Sequence, residues 1–118
     1  MIEQKLDKQK LIKSEIKKLT DNFKKVDADK KVYTERLINQ AAFMFATLIE
    51  LQNAINEEGT IELFQNGAQQ MLREHPAVKA YNTMIKNYIS IVKQLIELTP
   101  QAKDKGDELL NFLEKKPK

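Results

Sequence analysis

The stretch 59-GTIELFQNGAQQMLREHPAVKAYNTMIKNYISIVKQLIELTP-100 changes structural period twice. Its first half reads as a β-hairpin. Thr60, Ile61, Leu63 and Phe64 are β-prone, Asn66-Gly67 is a turn pair, and Ala68 to Leu72 make the return arm, although Gln69-Gln70 dilutes it. Asn-Gly favours a two-residue turn with both central residues at positive φ, the twist that suits paired strands. Its second half reads as a long helix. Pro76 stands at the start, where its missing N–H costs nothing. Val78, Tyr81, Met84/Ile85, Tyr88/Ile89, Val92 and Leu95/Ile96 recur at three- and four-residue steps, drawing one apolar stripe. Pro100 pushes Thr99 out of the α region, so the helix is predicted to end near Leu98, with Thr99 free to cap the next segment.

Upstream, a second helix is predicted from about Lys30 to Asn56. Its apolar positions run Leu37/Ile38, Ala41, Met44/Phe45, Leu48, Leu51 and Ile55. Ala41, Ala42 and Ala46 are small enough for close helix contact, whereas Phe43, Phe45 and Ile49 widen the apolar surface and predict burial on two sides. Asp27 or Asp29 is expected to cap this helix, and Gly59 to terminate it in a left-handed conformation. The first helix is predicted to reach Val26, because Ile12, Ile16, Leu19, Phe23 and Val26 step by four, three, four and three, the narrow seam of a coiled-coil contact. Gln9 interrupts that seam. Beyond Pro100, Asp107 would cap a short last helix bearing Leu109, Leu110, Phe112 and Leu113, followed by a basic tail.

The predicted fold is therefore mainly α, a bundle of long amphipathic helices with a small β-hairpin between the second and third. It is one domain: a basic N-terminal helix (1–26), a second helix (27–58), the hairpin (59–74), a long helix (75–98), and a short helix with a basic tail (100–118). A chain of 118 residues buries about 65% of its unfolded surface on folding. That leaves it able to gain from self-association. No apolar run approaches the length needed to span a bilayer, and MIEQKLDKQK has no signal-like apolar region, so a soluble, unexported, cytoplasmic protein is expected.

Charge is distributed in blocks. Residues 1–36 hold eleven Lys/Arg against seven acids, 37–76 one against five, and 77–118 eight against five. Such asymmetry allows either polyanion contacts at the ends or head-to-tail attraction between copies. With the apolar seam of the first helix turned inward, Lys10, Lys17 and Lys24 fall seven residues apart, Lys18 and Lys25 lie beside them, and Lys31 continues the count. Ammonium groups so arranged suit a phosphate backbone read without sequence. Outward helix faces are nonetheless lysine-rich in most soluble proteins, and an Asp21–Lys25 pair would partly neutralise this one.

Catalytic chemistry is missing from the pattern. There is no cysteine, hence no thiol nucleophile or Cys-based zinc site. His75 is the single histidine and, standing before Pro76, reads as a capping or packing residue. Ser14 and Ser90 sit in no nucleophile elbow, and no Gly-rich phosphate loop is present. Glu57, Glu58 and Glu62 read as solvent-facing. Tyr81, Met84 and Tyr88 read as core, and Lys79, Lys86 and Lys93 as an outward solubilising face. No catalytic residue, cofactor or metal is expected.

The order of these features resembles the small subunit of tailed-phage terminases. The segments that carry the resemblance are HPAVKAY at 75–81, IKNYISIVKQLIELTP at 85–100 and, more loosely, VDADKKVYTERLINQAAF at 26–43. The resemblance implies a non-catalytic DNA-packaging protein that binds double-stranded viral DNA, assembles into a ring-like homo-oligomer and recruits the terminase large subunit, an ATPase and nuclease. Taken with the lysine stripe read above, DNA contacts are expected at Lys10, Lys17, Lys18, Lys24, Lys25 and Lys31. Residues 1–36 carry no helix-turn-helix pattern, so sequence choice would come from DNA bending or register. The alternative is a helical coiled-coil adaptor, self-assembling, whose basic faces never meet DNA.

Overall fold

The computed structural model describes residues 2–99, with side chains described from Lys5 onward. Helix α1 spans Ile2–Asn22, a 3-10 turn spans Ala28–Lys30, and α2 spans Lys31–Glu58. Strands β1 (Ile61–Asn66) and β2 (Gln69–Glu74) precede α3 (Pro76–Leu98). The mainly-α fold with an intervening hairpin is as the patterning predicts. The predicted last helix and basic tail lie outside the described residues.

α2 is the central element. Lys8 on α1 meets Glu50 near the far end of α2, while Leu19 packs in one cluster with Ile38, Ala41 and Ala42, so α1 and α2 run antiparallel. α2 also meets α3, through Gln52 to Tyr81, Phe45 to Tyr88, and Ile38 with Leu95, and the three helices share one core cluster. This chain's own long helix thus buries one side of α2 as expected, whereas Phe43, which widened the apolar surface, stays 45% exposed. Ala41, Ala42 and Leu95 are fully shielded from solvent. Small side chains at the crossing let the backbones approach, which is how a fully buried Leu95 fits.

The layer is thin. The extents are 66 × 42 × 20 Å, the last about two helix diameters. The radius of gyration is 19.6 Å, against about 13 Å for a compact domain of this size. Large apolar residues consequently remain in solvent, among them Leu6, Tyr33, Phe43 and Ile89.

Four local expectations need correction. α1 stops at Asn22, four residues short of Val26. The Phe23 amide still reaches the Leu19 carbonyl at 2.9 Å, but the chain then leaves the helix and turns back, with Val26 buried. Asn22 suits that terminus because its short amide competes with helical backbone bonds. Secondly, neither aspartate caps α2 by its side chain: Lys30 is its N-cap residue, and Asp27 leads the 3-10 turn, where its carbonyl accepts from Lys30 N–H at 2.9 Å. Thirdly, Gly59 takes positive φ (83°) but ψ is 174°, so it is not helical; it releases the chain directly into extended backbone toward β1.

Fourthly, the hairpin turn sits one residue later than expected. Asn66 pairs with Gln69, which leaves Gly67-Ala68 as the central residues. Only Gly67 has positive φ (66°), the pattern of a type II′ turn with Gly first. The later turn thus leaves the positive φ to glycine alone.

Candidate functional site

The two ends of the hairpin are joined to the helices by one histidine. His75 is the N-cap of α3: its Nδ1 accepts the Ala77 N–H at 3.0 Å, as its position before Pro76 predicts. An accepting Nδ1 puts the ring proton on Nε2, which lies 2.8 Å from Glu58 Oε2 at the end of α2. Glu62 Oε2 of β1 is 3.9 Å from the same nitrogen. Glu62 also accepts from its cross-strand partner Arg73 at 2.7 Å, and the Arg73 guanidinium stacks 4.0 Å over the Phe64 ring. The backbone adds a bond from His75 N–H to the Thr60 carbonyl at 2.8 Å. Glu58 and Glu62, expected to be merely solvated, thus help fix where the hairpin leaves the helices. Among the described residues no group of three or more His, Cys, Asp or Glu is placed to hold a metal ion.

Lys10, Lys17, Lys18, Lys24, Lys25 and Lys31 are all exposed, but they do not form one helical stripe. Lys10, Lys17 and Lys18 are on α1, Lys24 and Lys25 lie in the segment after it, and Lys31 opens α2. The Asp21–Lys25 pair does not form a helical turn because α1 has already ended. Helix breakage gathers the last three lysines at the α1–α2 corner, while Lys10 and Lys17 keep their seven-residue spacing.

α3 divides its apolar stripe in two. One edge, with Ala77, Tyr81, Tyr88, Ile91 and Leu95, faces α2. Tyr88 is there as core, as expected: burial first and the Glu15 carboxylate second raise its phenol above the ordinary value. The other edge is left over in part: Ile89 is 53% and Ile96 42% exposed, with Ile85 and Val92 half-buried beside them. Lys86 and Lys93 border it on the solvent side.

Two surfaces escape a reading of residue order. One face of the hairpin carries Ile61, Leu63 and Leu72, all exposed, since nothing in the alternation says whether a helix covers it. The second is a groove of about 570 Å³ between the first half of α1 and the second half of α2. Its floor is Leu11, Ala46, Ile49 and Ala54, and Asp7, Glu50, Glu57 and Glu58 stand around it. Lys8, the one cation among its described lining residues, is held by Glu50 at 2.9 Å and lies 4.9 Å over the Phe43 ring. The signal for it is Gln9: where the α1 seam loses its apolar residue, the helices lose their reason to close, and Leu6 stays 56% exposed.

The described residues form an open helical layer with a hairpin inserted before a His-Pro-capped helix, and a family model for the phage terminase small subunit matches residues 14–108. The chain belongs to the phage terminase small-subunit family. No curated protein and no solved structure matches it. Membership of the terminase small-subunit family supports a role in phage DNA packaging, and small terminase subunits are in general non-catalytic. For this terminase small subunit, no helix among the described residues is long and apolar enough to cross a membrane.

Proposed function

We propose that this chain is the non-catalytic small subunit of a phage packaging terminase, which assembles with copies of itself, binds double-stranded viral DNA in the host cytoplasm and recruits the large ATPase/nuclease subunit. The family match over residues 14–108 carries this reading. Physical support comes from the leftover apolar surface, because a layer 20 Å thick cannot cover its own ridges and a neighbouring subunit can. A multimer, ring-like in this reading, repeats the exposed lysines of α1 and of the α1–α2 corner, where Asp21, Asp27 and Asp29 offset part of the charge, and so adds weak lysine–phosphate contacts by multivalency. DNA contacts are assigned to Lys10, Lys17, Lys18, Lys24, Lys25 and Lys31, all of them exposed.

The test is duplex binding as a function of salt. Six phosphate contacts give a slope of log affinity against log salt near −5. A flat response, or no binding at low salt, removes DNA from the function and leaves the self-assembling adaptor. A pull-down against the large subunit of the same genome tests recruitment separately.

A further inference from the structure

We propose that the leftover edge of α3 docks into the α1–α2 groove of a second copy. The inference deepens the self-assembly reading above and rests on it. Ile89 and Ile96 are exposed one heptad apart, and the half-buried Ile85 and Val92 fall at the four- and three-residue steps beside them, so the four form one straight ridge on a continuous helix. Such a ridge fits an apolar groove as the anchors of a helix-in-groove contact.

Charge selects the pairing. The ridge is bordered by Lys86 and Lys93, while the groove floor of Leu11, Ala46 and Ile49 is bordered by carboxylates, with Lys8 already bound to Glu50. Acid against acid or base against base would cost energy if two grooves or two ridges met, so the complementary match is ridge to groove. Within one chain the two surfaces cannot meet, because α1 with its groove and α3 are both packed on α2. In the ring-like assembly proposed above the contact is heterologous, ridge of one copy to groove of the next, rather than the reciprocal exchange that would close a two-fold dimer.

The absence of native cysteine makes the test clean. Asn53 borders the groove and is exposed. The double variant I89C/N53C, under mild oxidation, is expected to give a disulfide ladder beyond the dimer, whereas each single variant stops at dimer. A second measurement uses exposed charges that folding does not need: K86E and E57K each lower the multimer fraction several-fold in light scattering, and K86E/E57K together restore it. A wild-type chain that is multimeric while the double cysteine variant yields no ladder, or a charge swap that fails to restore assembly, overturns this interface and leaves self-assembly standing. A wild-type chain that is monomeric at tens of micromolar overturns both.

Discussion

His75 Nε2 lies 2.8 Å from Glu58 Oε2, and through that contact the end of α2 is tied to the start of α3 across the intervening hairpin. The same ring caps α3 with its other nitrogen. Replacing His75 by Ala removes both interactions and should cost about 1 kcal/mol or somewhat more. Asn, which keeps a capping oxygen but cannot span to Glu58, should recover most of the cap. Urea unfolding of the two variants separates the contributions; equal losses would show that the cap contributes nothing.

Leu95 is the largest apolar side chain fully inside the helical layer. Truncation to Ala should cost about 2–5 kcal/mol, a loss that a thin core cannot absorb by collapsing. Enlarging Ala42, also fully buried, to Leu should cost about 1–3 kcal/mol by forcing helices apart. Thermal melts of both variants check the pair, and unchanged melting of either would show that its crossing is not packed as described.

Gly67 has φ of 66°, and a Cβ built there would meet nothing within 4 Å. Its replacement by Ala is therefore a pure backbone penalty of about 1 kcal/mol. Because β1 and β2 pair chiefly with each other, the cost should fall on the hairpin alone. Amide exchange across Ile61–Asn66 and Gln69–Glu74 should accelerate while exchange in α2 stays as it was.

Tyr88 titrates above the ordinary tyrosine value, through burial and then the Glu15 charge. A raised folded-state pKa means that the neutral phenol is favoured in the fold. Its contribution is fully present below the unfolded value near 10 and is lost as pH rises through the folded one. Stability should thus decline above pH 10, and Tyr88→Phe should flatten that decline. An identical alkaline decline in the Phe variant would remove Tyr88 as its source.

If Lys17 and Lys18 touch phosphate, the K17A/K18A variant should lower the salt slope of DNA binding by about 2, roughly one for each lysine. Affinity should weaken alike for all duplex sequences. A slope equal to that of the unaltered chain would take α1 off the DNA.

Much of this architecture can be read directly from residue order. The three- and four-residue steps from Val78 to Ile96 specify a helix, Pro76 and Pro100 bound it, and His75 reads as its cap, because each of these effects acts within a few residues. The hairpin's existence is equally legible. Its turn lies one residue beyond the Asn-Gly pair because cross-strand pairing, which local turn preference does not contain, sets Asn66 opposite Gln69.

Packing alone decided the rest. The apolar arc of α3 is wider than one neighbour can cover, so only the position of α2 determines that Leu95 is shielded while Ile89 stays exposed. Likewise Gln9 marks a gap in a seam, but a groove exists only once the second half of α2 lies opposite it. Periodicity is a property of a segment and burial is a property of a pair of segments, so residue order defines the faces and the tertiary arrangement chooses which of them remain for a partner.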